Sequence, residues 1–75
     1  MNRIEEAKKW ISSLQPKELV EKVREAKEKY SDKVPKYMLR KIREGNATEK
    51  EKTLQMAKLF LVQMYLEEHK ENPEP

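Results

Sequence analysis

Residues 53–66, TLQMAKLFLVQMYL, are the one strongly apolar stretch of a chain that is 41% charged. Their spacing is helical. Leu54, Ala57, Leu61 and Met64, with Tyr65 beside them, recur at steps of three and four and form one stripe. Leu59, Val62 and Leu66 form a second stripe roughly opposite, which Gln55 and His69 extend. A helix at a domain surface needs one apolar stripe. Two stripes mean that other helices wrap this one on both sides, or that one side receives a second molecule.

Working back from this segment, the chain offers three shorter amphipathic helices as partners. Asn2 followed by Glu5 has the pattern of a capping box, and Ile4, Ala7, Ile11 and Leu14 then step along one face with Trp10 beside them. This predicts a first helix over 3–13, with Trp10 as its anchor. Pro16 suits the first position of a helix and is badly placed inside one, so a second helix is expected over 16–30. Its inward residues are Leu19, Val23, Ala26 and Tyr30. Glu18/Lys22 and Glu25/Lys29 stand in the favourable i, i+4 order. A third helix is expected over 34–44, with Asp32 as its cap and Met38, Leu39 and Ile42 facing inward. Gly45, the only glycine, falls where a left-handed helix cap is common. Thr48 and Glu51 form another capping pattern and open the long fourth helix, expected over 49–70. Asn72-Pro73-Glu74-Pro75 reads as a frayed tail.

Four helices joined by two to five residues predict an all-α, compact four-helix bundle over residues 1–71, with three short helices packed on the long C-terminal one. Seventy-five residues support one domain with a modest core. Leu, Ile, Val and Phe make up about a fifth of the chain, near the level at which disorder sets in, but their ordered periodicity argues for folding. The agreement of caps, prolines and glycine with the pattern is what a thermophile protein or an idealised design shows. Met38, Met56, Met64, Phe60 and three tyrosines give the core an irregular, more natural cast.

Composition also narrows function. The chain has no Cys and one His, so it lacks a thiolate metal site, a disulfide framework and a Cys nucleophile. His69 reads as a cation near a helix end. Glu5-Glu6 and Glu67-Glu68 are adjacent in sequence and point about 100° apart on a helix, so they form no acid/base pair. We therefore expect no enzyme activity, no cofactor, no metal and no small-molecule substrate. No leader is visible, and the apolar run is too short for a bilayer. The expectation is a soluble, cytoplasmic protein.

The net charge is +3 and the pI near 9.2, with the positive charge concentrated in the third helix. Lys33, Lys36, Arg40, Lys41 and Arg43 occur there with no acid among them before Glu44. Lys36, Arg40 and Arg43 share a face roughly opposite the apolar side, and Tyr37 and Lys41 lie between. Such a face can lie along nucleic-acid phosphates; the bland reading is a solvated surface. QPKEL (15–19), IREG (42–45) and TLQMAKLF (53–60) resemble fragments of the repressor-type helix-turn-helix family. The first two stand several residues too far apart, and the chain is not assigned to that family.

The expected function is a small regulatory DNA- or RNA-binding protein that contacts phosphates through Lys36, Tyr37, Arg40, Lys41 and Arg43. It is expected to form a homodimer through Leu59, Val62 and Leu66 of the C-terminal helix. The alternative is a protein-interaction or structural bundle, designed or natural, that associates through that helix.

Overall fold

A computed structural model describes residues 2–69. Its elements are α1 (Arg3–Ser13), α2 (Pro16–Tyr30), a single 3₁₀ turn (Ser31–Lys33), α3 (Lys36–Glu44) and α4 (Glu49–Glu68). The architecture is an all-α bundle. The tail expected over 72–75 lies outside the described residues.

The helix starts follow local chemistry. The Asn2 side chain accepts from the Ile4 N–H at 2.6 Å and caps α1. Pro16 opens α2, where the Glu18 carboxylate turns back to accept from the Gln15 N–H at 3.1 Å. Glu18 thus serves as a cap, while Glu25 and Lys29 form the expected i, i+4 pair at 3.5 Å. Thr48 Oγ1 accepts from the Glu51 N–H at 3.2 Å and starts α4.

The expected start of α3 needs correction. Val34 is extended (φ −82°, ψ 125°), as a residue before proline prefers, and Pro35 becomes the N-cap. The helix therefore begins at Lys36. Asp32 sits in the preceding 3₁₀ turn, and the Pro35 carbonyl accepts from Met38 N at 3.1 Å. The expected left-handed cap at Gly45 is also absent. Gly45 is extended (φ −72°, ψ 177°), with its N–H on the Ile42 carbonyl at 3.3 Å. A left-handed cap serves to satisfy terminal carbonyls. Here the Lys52 ammonium of α4 does part of that work, donating to the Arg43 carbonyl at 2.7 Å. At its far end α4 closes at Glu68, with His69 as C-cap and its N–H on the Tyr65 carbonyl at 2.9 Å.

Packing is organised on α4. Each of the other three helices lies against it. Arg3 donates to the His69 carbonyl, while Ile11 and Ser12 lie by Lys58, so α1 runs antiparallel to α4. Leu19 and Val20 lie by Lys50 and Leu54, and the Tyr30 hydroxyl reaches Glu68, so α2 runs parallel to it. The third helix returns antiparallel, from Leu59 down to Lys52.

The core is small. Ala26, Val34, Phe60 and Met64 form its centre, with Trp10, Tyr30, Leu39 and Leu59 packed around them. Ala7 and Leu61 are also buried. Trp10 meets Tyr65 with ring centroids 5.4 Å apart, a tilted contact worth about 0.5–1.5 kcal/mol beyond area burial. Met38, expected inward, lies at the exposed edge of α3.

Two substitutions check this description. Met64→Ala removes a side chain with no solvent exposure and should cost about 2–5 kcal/mol, read as a lower urea midpoint. Gly45→Ala adds a Cβ at 3.4 Å from the Ile42 and Lys41 carbonyls, on backbone that any residue adopts. It should be neutral or stabilising by up to about 1 kcal/mol, whereas a left-handed glycine would make it destabilising.

Candidate nucleic-acid interface

The third helix is nine residues long and buries none of them fully. Leu39 and Ile42 are half-buried toward α4. Lys36, Tyr37, Arg40, Lys41 and Arg43 are all exposed, as is Lys33 in the preceding turn. The face follows from the helical period. Lys36, Arg40 and Arg43 recur at four and three and project on one side of the packed line. Tyr37 and Lys41 project on the other.

Among the described residues, no carboxylate pairs with Lys36, Arg40, Lys41 or Arg43. The one acid of the helix, Glu44, occupies its last position, a turn beyond Arg40. The first turns of α1, α2 and α4 each carry acid; the first turn of α3 carries none. The positive end of its dipole is therefore reinforced by Lys33 and Lys36.

The two sets of residues singled out by sequence meet at one place. Tyr37 and Lys41 line a shallow groove between α3 and α4, whose α4 wall is Gln55 and Leu59. Leu59, Val62 and Leu66 are all half-buried within one chain, and Leu59 packs on the core. Lys36, Arg40 and Arg43 lie apart from this groove.

The most exposed large aliphatic side chains are elsewhere. Val20 is 58% exposed and Leu54 50%. They line an apolar groove of about 540 Å³ between α2 and α4, together with Leu19, Val23, Thr53 and Ala57. The Thr53 hydroxyl donates to the Glu49 carbonyl at 2.9 Å, so it makes no polar demand on the groove. Sequence periodicity assigns Leu54 to the core stripe. The missed signal is length: 11 residues of α1 span about 16 Å and 20 residues of α4 about 30 Å. Helix α1 therefore stops short of the first turns of α4.

Acidic charge gathers at the opposite end of α4. The Tyr30 hydroxyl donates to Glu68 Oε2 at 3.1 Å. The His69 ring stacks on Tyr65 with centroids 4.1 Å apart, and its Nδ1 lies 3.1 Å from the Tyr65 carbonyl. Glu71 and Glu74 lie outside the described residues. Among the described residues no cluster of three His, Asp or Glu is placed to hold a metal, and no helix is long and apolar enough to cross a membrane.

No protein-family model, curated protein or solved structure matches this chain.

Desolvation of the half-buried Tyr30 ring and the Glu68 carboxylate raise the phenol above its ordinary 10.0, with Glu67 and Glu25 adding to the effect. The folded chain thus holds this proton to higher pH than the unfolded chain. The resulting stabilisation is fully present below the ordinary phenol value and is lost as pH rises through the folded one. Tyr30→Phe should lose less stability than the parent between about pH 9 and 12, measured by urea unfolding across that range. Equal slopes for the two proteins would remove this account of Tyr30.

Proposed function

We propose that the protein is a small regulatory nucleic-acid-binding domain that holds phosphates on the outer face of α3. The observation that carries this reading is a set of exposed cations, Lys36, Arg40, Lys41 and Arg43, with no carboxylate paired to any of them among the described residues. Unpaired guanidinium and ammonium groups on a rigid helix gain by displacing the counterions condensed on a nucleic acid. Arg40 and Arg43 supply forked donors that suit phosphate oxygens, and Lys36 and Lys41 add point charges. Tyr37, 64% exposed beside Lys41, offers a ring on which an unpaired base can stack. Nothing in the face reads sequence by itself, so the expected binding is governed by charge.

A second reading, a protein-interaction module, is favoured by the exposure of Val20 and Leu54 rather than by Leu59, Val62 and Leu66, which are half-buried.

Fluorescence anisotropy with random-sequence duplex and single strand, titrated against salt, tests the first reading. Three or four phosphate contacts should give a slope of log affinity against log salt of about −3. Arg40→Glu with Arg43→Glu should abolish binding at low salt while far-UV circular dichroism stays unchanged. Absence of binding by the parent protein at low salt, or equal binding by the double variant, overturns the proposal.

A further inference from the structure

We propose that the apolar groove between α2 and the first turns of α4 is a docking site for an acidic amphipathic helix of a partner protein. The groove is a consequence of the fold. Helix α1 lies antiparallel along the C-terminal part of α4 and ends near Lys58. Beyond that point α4 has α2 on one flank and α3 on the other, and no described element covers the face between them that carries Leu54. Val20 and Leu54 are left half in water at the mouth, over a floor that includes Val23 and Ala57. A helix laid there would continue the line of α1 and close the bundle, setting apolar residues at i, i+3/i+4 and i+7 into the groove.

Charge selects the occupant. Lys50 lines one end of the groove. Lys27, on α2, reaches over the Phe60 ring at 5.9 Å, one turn beyond Ala57 and toward the other end. Along the rim, Lys17 and Arg24 share a face of α2 with Val20 and Lys27 by the helical period, and all three cations are exposed. By the same period the α2 acids Glu18, Glu21 and Glu25 follow the next face round, and Glu28 stands at its edge beside the basic rim. Glu49 and Glu51 flank Lys50 on α4, and Glu49 approaches Lys52 at 4.0 Å. An apolar floor with a basic rim rewards apolar side chains flanked by carboxylates. It gives a phosphate backbone little, because the floor has no donors. A second copy seated by two-fold symmetry would bring basic rim against basic rim, which argues against self-association here.

The probe is a fluorescein-labelled 16-residue helical peptide with Leu at i, i+3, i+4 and i+7 repeats and Glu on the flanking positions. Its control carries Lys in place of each Glu. Anisotropy titrations use the full chain. The acidic peptide should bind and the basic one should not. Val20→Ser with Leu54→Ser should weaken binding by about tenfold or more, as loss of central apolar contacts does. Lys27→Glu with Lys50→Glu should weaken it at low salt. Both pairs are at exposed or half-exposed positions, and thermal melting verifies that each variant folds. Backbone amide shifts on peptide addition should centre on Val23, Thr53 and Ala57. Equal affinity for both peptides, shifts confined to α3, or insensitivity to the serine pair would overturn the proposal. So would concentration-dependent dimerisation by sedimentation that the serine pair abolishes. Arg40→Glu with Arg43→Glu should leave peptide binding unchanged, so this inference and the nucleic-acid reading fail independently.

Discussion

Every helix in the molecule spends its apolar side on α4, and α4 has a limited circumference and length to share. The C-terminal half is surrounded: α1, α2 and the residues leading into α3 converge there, and Phe60, Leu61 and Met64 are buried as a result. The N-terminal half is served only by α2 and the end of α3. Leu54 belongs by its angle to the same stripe as Leu61, yet it is half in water. Position along the axis, rather than orientation around it, decides which apolar residues of α4 become core. Because an isolated helix of nine to fifteen residues is marginal in water, α1, α2 and α3 depend on this one shared surface, and the cohesion of the bundle is concentrated in a few side chains near Met64.

That dependence explains what could be read from the chain before its structure. Local punctuation was sufficient for element boundaries: Asn2 and Thr48 accept from N–H groups within three residues, Pro16 brings no N–H to the first turn of α2, and α1 and α2 begin and end where their signals place them. Val34-Pro35 carried its own warning, since a residue before proline is pushed out of the helical region, and α3 starts after it. Gly45 misled because its usual role depends on who satisfies the last carbonyls. That partner is Lys52, nine residues away from Arg43, and no local pattern announces it. Likewise the two stripes of α4 fixed directions but not occupants. Periodicity tells which side of a helix is apolar; it does not tell how far a neighbour reaches along it.

The candidate sites differ in the same way. The basic face of α3 is written within eight consecutive residues, so the helical period alone assembles it. The groove between α2 and α4 joins residues some thirty positions apart and exists because a third element is short. Comparing helix lengths, not stripes, would have exposed it.

Charge is placed in α3 against the local interest of that helix. Cations weaken a helix at its N-terminus and anions at its C-terminus, each by about 0.3–1 kcal/mol. Lys36 opens α3 with no acid in the first turn, unlike α2, where Glu18 stands there; in the last turn Lys41 and Arg43 suit the dipole beside Glu44, as Lys27 and Lys29 do in α2. α3 is the shortest of the four α-helices, and no residue of it is fully buried to offset the penalty. The Lys52 ammonium on the Arg43 carbonyl relieves one end; nothing equivalent relieves the other. The first turns of the other three α-helices all carry acid, although α4 also closes on anions, Glu67 and Glu68. The first turn of α3 is the one α-helix start among the described residues that carries a cation and no acid, and the cations of that helix have no carboxylate partner among the described residues. An anion at the start of α3 would supply the missing compensation.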